Sequence, residues 1–207
     1  MWRDRVEAGR DLATELERRG YGGRPDVIVL GVPRGGVEIA REVADRLSAP
    51  LDIVVVRKIG APGQPEFAAG AVDLDGAVHS NPDAGVPRAW LERAAVPEHA
   101  EAMRRAEAYR KGCGPLELGG RTVIVVDDGI ATGLTAVAAL RWLVGRGAAR
   151  TVIAAPVMAP DAALRLAAEA DEVVALATPV GFAAVGAYYA DFPQLSDDDV
   201  TRLLVIG

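Results

Sequence analysis

A doubly wound α/β fold built on a mainly parallel five-stranded sheet is what this sequence predicts, and three observations predict it. Five short runs, residues 27–30, 51–56, 122–126, 151–155 and 172–176, are almost continuously apolar. Strands that bury both faces beneath helices read this way. Stretches with apolar residues at helical spacing stand between most of these runs. Glycine-rich turns follow the first and third of them, and this alternation of strand, turn and helix is the pattern of an open sheet with helices on both faces. With 207 residues, half of them hydrophobic, the chain is long enough to bury a sizeable core and reads as one domain over 1–207.

The elements follow in order. Trp2, Val6, Leu12, Ala13 and Leu16 mark an amphipathic opening helix, stopped by Gly20 and the Gly22-Gly23 pair. After the first strand, Val37, Ala40, Val43, Ala44 and Leu47 mark one helix face. About 60 residues then separate the second strand from the third, too many for a plain crossover, so an insertion with hairpin and helical parts is expected over about 61–119. Within it, 59–66 is rich in Gly and Pro and reads as a mobile loop. Residues 71–79 read as a hairpin on a two-residue Asp75-Gly76 turn, and 98–111 as a charged helix whose Glu and Arg side chains pair along a solvated face. Helices are expected over 134–144 and 162–168. The run 173–190 is uncharged but broken by Pro179, Gly181 and Gly186 and flanked by acids, so it reads as a strand followed by a loop and not as a membrane span. Ser196 before three aspartates caps a last helix carrying Val200, Leu203 and Leu204, and 178–195 is left as a small C-terminal hood.

Composition narrows the function. A formal charge of −6, from 29 acidic and 23 basic residues, disfavours a non-specific grip on nucleic acid or an anionic membrane. Small-molecule chemistry is the better expectation. Cys113 is the single cysteine, which excludes an internal disulfide and a cysteine-based zinc site and fits a reducing compartment such as the cytoplasm. Residues 2–7 are too charged for the apolar core of a secretory signal. His79 and His99 read as surface histidines, and Trp2, Trp90 and Trp142 as packing anchors.

Open parallel sheets bind ligands beyond the carboxyl ends of their strands, and three turns there carry unusual residues. The third strand ends in Asp127-Asp128, followed by Gly129-Ile130-Ala131-Thr132-Gly133-Leu134-Thr135. Neighbouring side chains on a strand point to opposite faces, so both acids are cheap to keep only where the strand opens at the rim of the sheet. Gly129, Gly133 and the hydroxyls of Thr132 and Thr135 then stand at the start of a helix, where free N–H groups and the helix dipole favour a phosphate. Carboxylates beside a phosphate cradle suit a sugar phosphate, with hydroxyls or a hydrated magnesium ion facing the acids. After the first strand comes Pro33-Arg34-Gly35-Gly36, a turn that lets backbone N–H groups close on an anion beside a guanidinium. After the second comes Arg57-Lys58, one of only two lysines in the chain.

The segment 123–135, with four apolar strand residues, an acidic pair and Ala-Thr-Gly-x-Thr, resembles the phosphoribosyl-pyrophosphate signature of the type I phosphoribosyltransferases; Gly129 stands where an aliphatic residue is more usual. Residues 33–36 match that family's pyrophosphate loop in place and type. The likeness covers about 25–60 and 120–180, while the insertion and the carboxyl end are more similar to stand-alone members of the superfamily than to any enzyme of known acceptor.

The resemblance implies transfer of ribose 5-phosphate from magnesium-bound phosphoribosyl pyrophosphate (PRPP) to an acceptor nitrogen, such as that of a nucleobase, with pyrophosphate leaving. It assigns Asp127 and Asp128 to the ribose hydroxyls and magnesium, and Gly129, Ala131, Thr132, Gly133 and Thr135 to the 5-phosphate. Arg34, Gly35 and Gly36, with Arg57 and Lys58 as a second station, fall to the pyrophosphate. The 59–66 loop becomes a lid with Glu66 beside it, and Phe182, Tyr188, Tyr189 and Phe192 become candidates for stacking on the acceptor. Ala131, together with the absence of a lysine at 154–158, departs from the 6-oxopurine enzymes. A non-catalytic PRPP sensor of the same fold is the competing expectation; a receiver domain built on the acidic pair fails because a phosphate cradle follows it. No membrane or nucleic-acid partner is expected, and self-association is left open.

Overall fold

The computed structural model describes residues 1–205; the side chain of Glu66 lies outside what is described, as does that of Val205. Five parallel strands form the main sheet: β1 (Val27–Gly31), β2 (Leu51–Ile53), β6 (Thr122–Val126), β7 (Arg150–Val157) and β8 (Glu172–Ala177), in the order β2-β1-β6-β7-β8. Alternation along each strand sends successive side chains to opposite faces. Val27, Val29, Ile124, Val126, Val152 and Ala154 enter the core beneath α1 (Arg5–Arg18) and α2 (Gly35–Leu47). Ile28, Leu30, Val123, Val125, Ile153 and Ala155 enter the opposite core beneath α4 (Leu134–Gly145) and α5 (Pro160–Leu166). Each of these side chains, fully buried, contributes about 1.5–3 kcal/mol if it is a Val, Leu or Ile. That double burial is why the runs lack polar residues.

Four stretches depart from the reading above. The second parallel strand is three residues long, because Val54–Val56 leave the sheet at its carboxyl edge. Their apolar character comes from burial of Val54 and Val55 at the junction between cores. Residues 59–66 are not a loop: β3 (Arg57–Ala61) and β4 (Gln64–Val72) pair as an antiparallel hairpin, joined by Pro62-Gly63 with Gly63 at φ +74°. A proline followed by a glycine in the left-handed region is what a type II turn asks for. Gly60 marks a bulge, where a Cβ would meet the Pro65 carbonyl oxygen at 2.6 Å. β5 (Val78–Ser80) completes this second sheet. Its turn is longer than two residues: Asp73 N–H donates to the Ala77 carbonyl, and the buried Asp73 carboxylate accepts from the N–H groups of Asp75 and Ala77 at 3.0 Å and contacts His79 Nε2 at 2.8 Å.

The charged helix is α3 (Arg88–Arg110), longer than expected, with Pro97 inside it. Ile59, Ala69 and Val72 of the small sheet pack on its Leu91 and Ala95. α6 (Asp197–Val205) lies against α2 and α3 through Val200, and Ser196 caps it, its Oγ accepting from Asp199 N–H. Among the described residues no helix is long and apolar enough to cross a membrane.

Glu172, at the start of the edge strand β8, ties the sheet to the end of α1. Tyr21 Oη donates to it at 2.5 Å, and Arg19 and Arg150 at 2.8 Å each. Burial pushes this carboxyl up, but the three hydrogen bonds prevail and hold it at about 2. A carboxyl held down in the folded state stabilises the fold above its unfolded value and loses that contribution as pH falls through the folded one. Glu172→Gln is therefore expected to cost about 1–2 kcal/mol at pH 7, with the gap to wild type closing between pH 4 and pH 2, as read from urea titrations across that range.

Candidate active site at the carboxyl rim of the sheet

β1 and β6 are paired neighbours, with Gly31 opposite Val126, so the turns that follow them leave the sheet side by side. Val32 N–H still donates to the Val126 carbonyl at 2.9 Å. The chain then turns through Pro33 and Arg34, whose peptide is cis, into α2. Here the glycines meet a steric demand. A Cβ on Gly35 would lie 1.8 Å from Asp128 Oδ2, and one on Gly36 would lie 2.6 Å from the Val126 carbonyl oxygen and 2.8 Å from Asp127 Cα. The predicted pyrophosphate turn and the acidic pair are thus in direct contact. α2 begins on Arg34 with no side-chain cap, which leaves its first N–H groups available at the rim. The Arg34 guanidinium points toward Asp197 at the start of α6, 3.6 Å away.

Asp127 and Asp128 are half-buried. Loss of water, then the neighbouring Asp128 charge, drives the Asp127 carboxyl well above its usual range. Burial likewise raises Asp128, opposed by Arg5. Arg5 Nε donates to Asp128 Oδ2 at 2.8 Å; Asp128 N–H donates to Asp127 Oδ1 at 2.8 Å, and Tyr189 Oη donates to the Asp128 carbonyl at 2.5 Å. Burial, then the Asp128 charge, raises the Tyr189 hydroxyl, so it stays protonated and able to donate.

The turn after the acids is pinned to the next strand. Ile130 N–H donates to the Val157 carbonyl at 2.9 Å, and Ala159 N–H to the Ile130 carbonyl at 2.8 Å. This fixes the turn while Ala131 and Thr132 stay exposed. Gly133, at φ +76°, is the residue before α4 and offers no side-chain cap; Thr135 is in the first turn. The uncapped start of α4 therefore opens onto the same rim as that of α2. Gly129 has its own explanation: a Cβ there would sit 2.4 Å from Val185 of the 178–195 segment, so the hood occupies the space that a larger residue would fill.

Not every predicted residue joins this cluster. Arg57 and Lys58 open β3 just beyond the end of β2; Arg57 turns to Glu98 of α3, 2.9 Å away, and Lys58 is exposed. The hood carries a single 3₁₀ turn, 185–188. Two of its four aromatic candidates are committed to packing: Tyr189 is buried between Trp2 and Phe192, with ring centroids 5.9 and 4.8 Å away, and Phe192 lies under the Arg5 guanidinium. Phe182 and Tyr188 stack on each other at 5.6 Å and are half-exposed. The residue that sequence reading missed is Arg5. Its signal was present, since Arg5 shares the buried stripe of Ala8, Gly9, Leu12, Ala13 and Leu16, where a guanidinium needs a partner. Among the described residues no group of three or more His, Cys, Asp or Glu side chains is placed to hold a metal.

Known proteins resemble this chain over nearly its whole length. The family model described as "Phosphoribosyl transferase domain" matches residues 2–189. "Putative phosphoribosyl transferase Rv0571c" of Mycobacterium tuberculosis (strain ATCC 25618 / H37Rv) is 47% identical over 209 residues, covering 99% of this chain and 46% of the relative. The chain thus spans about half the length of that relative. Among solved structures, TT1426 from Thermus thermophilus superposes with a TM-score of 0.85 at 47% identity, over 99% of this chain and 98% of the other. A hypothetical protein from Neisseria gonorrhoeae, solved with bound ppGpp, shares the fold alone, with a TM-score of 0.51 at 15% identity over 99% of this chain and 94% of the other.

Because a Cβ at Gly36 would press on backbone and not on a yielding side chain, Gly36→Ala is expected to destabilise by about 1–3 kcal/mol, a fall in Tm of about 2–4 °C per kcal/mol. Gly145, the last residue of α4 with nothing within 4 Å of its Cβ position, is the control. Gly145→Ala should be neutral or stabilising by up to about 1 kcal/mol. Thermal unfolding of the two variants side by side checks the contrast.

Proposed function

This chain belongs to the phosphoribosyl transferase domain family, and from that premise we propose that it moves ribose 5-phosphate from magnesium-bound PRPP to an acceptor nitrogen, releasing pyrophosphate. The observation that carries the reading is the contact of Gly35 and Gly36 with Asp127 and Asp128. It sets the 33–36 turn directly against the carboxylate pair, from which the 129–135 turn runs on to the uncapped start of α4, and this supports a site for a sugar with phosphates at both ends.

In the reaction the bond from the sugar C1 to the pyrophosphate oxygen breaks and its electron pair leaves with pyrophosphate. The acceptor nitrogen supplies the pair for the new C1–N bond. The helix start at Gly133, with Thr132, Thr135 and the backbone of Gly129 and Ala131, holds the 5-phosphate. Arg34 and the N–H groups of Gly35 and Gly36 face the departing pyrophosphate and stabilise the charge that develops on it; Arg57, paired with Glu98, and Lys58 stand apart from this group. Asp127 and Asp128 accept from the ribose hydroxyls, which fixes C1 between leaving group and acceptor.

The residues present fit a magnesium ion that arrives with the donor. Asp127 and Asp128 would supply hard carboxylate oxygens, within the one or two this ion takes from protein when phosphates complete its shell. When bound, the ion neutralises charge on the pyrophosphate. On the acceptor side, Phe182 and Tyr188 are the aromatics left for a planar nitrogen base. The exposed lone Cys113 fits a cytoplasmic setting.

Calorimetry should show magnesium PRPP binding to the wild type, weakened more than tenfold, about 1.4 kcal/mol, in Thr132→Val and in Asp128→Asn. Incubation with magnesium PRPP and a panel of nucleobases should release pyrophosphate with at least one of them. Binding without release across the panel would assign the site to sensing, and no binding at all would remove both readings.

A further inference from the structure

Arg5 occupies a position where the fold itself has no use for a charge. It is the first residue of α1, at the head of an otherwise apolar buried stripe, and its side chain is only 6% exposed. Burying a guanidinium costs several kcal/mol unless charge and hydrogen bonds compensate. A purely packing role is served as well by an apolar residue of similar volume. What Arg5 has instead is a set of contacts that all fix one direction: Nε to Asp128 Oδ2 at 2.8 Å, an NH1 donation to the Pro193 carbonyl at 2.8 Å, and the Phe192 ring 3.7 Å beneath.

These contacts converge on Asp128. Its side chain is held by Arg5, its carbonyl by Tyr189, and its N–H by Asp127. Phe192, under the guanidinium, is stacked on that same Tyr189. The carboxylate is therefore oriented from two chain segments, α1 and the hood, which Trp2 joins: Trp2 N–H donates to the Tyr188 carbonyl and Ala190 N–H to the Trp2 carbonyl. The guanidinium also lies beside the pyrophosphate turn, with Nε 2.9 Å from the Cβ position of Gly35.

We propose that Arg5 is a positioning residue that sets the sugar specificity of the donor site: by engaging Oδ2 of Asp128 it holds that carboxylate in one orientation, with the other oxygen presented to a ribose hydroxyl. The ligand class is a pentose 5-phosphate with its ring hydroxyls intact. The inference rests on the donor-site reading of the acidic pair. A free carboxylate rotates to suit what it meets, whereas one pinned at an oxygen accepts from a hydroxyl in a defined place, and a site built to bond a hydroxyl rejects the analogue that lacks it.

The test is calorimetry of the whole chain with ribose 5-phosphate and its 2-deoxy and 3-deoxy counterparts, with magnesium PRPP as the reference ligand. Wild type is expected to prefer ribose 5-phosphate over at least one deoxy sugar by about tenfold or more. Arg5→Gln should bring that preference within about threefold, Arg5→Lys should restore most of it, and Arg5→Gln added to Asp128→Asn should change nothing beyond Asp128→Asn alone, because Arg5 acts through Asp128. Should Arg5→Gln fail to fold, Phe192→Leu serves in its place: it removes the surface under the guanidinium, keeps the charge, and should erode the preference in part. A preference that survives both Arg5→Gln and Phe192→Leu, or a loss of affinity equal for all three sugars, overturns the role of Arg5 while leaving the donor site standing. If wild type binds magnesium PRPP but shows no sugar preference, this inference alone falls; if it binds neither PRPP nor any of the sugars, the donor-site reading falls and takes this one with it.

Discussion

Two stretches of backbone far apart in sequence, 34–36 and 126–128, approach so closely that no side chain fits between them, and the arrangement of the whole rim depends on that approach. The parallel register of β1 and β6 brings the strand ends level. The glycines then let the turn after β1 fold back onto the end of β6. The result is electrostatically tense, because N–H groups that attract anions and carboxylates that repel them occupy neighbouring positions. An anionic ligand is tolerable there only with cations close by, and two guanidinium groups stand at this rim, Arg34 from the first turn and Arg5 from α1.

Those cations are already engaged. Arg34 faces Asp197 of α6, which also accepts from Tyr109 Oη at 2.8 Å, and Arg5 holds Asp128. The site is thus drawn from both ends of the chain, α1 and α6, as well as from the central strands. Glu38, half-buried in the first turn of α2 and raised by its burial, feels the charges of Arg5, Asp199 and Asp128. Any ligand entering this cluster exchanges existing ion pairs for new ones, so its net affinity is set by a difference between pairings and not by their sum.

The legible parts of this molecule were those whose cause is local. Strands buried on both faces announce themselves through continuous apolar runs, and the turns at 33–36 and 129–135 show in glycines gathered within a few consecutive residues. Reading failed where one residue type serves two causes. Val54–Val56 are apolar because they plug a junction, although they look like more strand. Gly60, Pro62 and Gly63 shape a bulge and a tight turn, although glycine and proline so close together also describe an irregular loop. Asp73 lengthens the next turn through its own side chain, which spacing alone does not show. Tyr189 and Phe192 look available for a ligand until their partners, Trp2 and Arg5, are seen beside them. Arg5 was legible only in part: its place in an apolar helix stripe calls for a partner, but that partner lies 123 residues away.

The link between the two ends has a consequence for how the molecule is made. Synthesis delivers Trp2 and Arg5 long before Tyr188, Ala190 and Pro193, which receive or supply their hydrogen bonds; for Arg5 and Pro193 the interval is 188 residues. Loops of that length close late, after the sheet has supplied the framework that brings their ends together. The acidic pair is therefore expected to reach its final alignment only after the sheet has formed, and a nascent chain halted before residue 188 would carry most of the scaffold without the clamp that orders its rim.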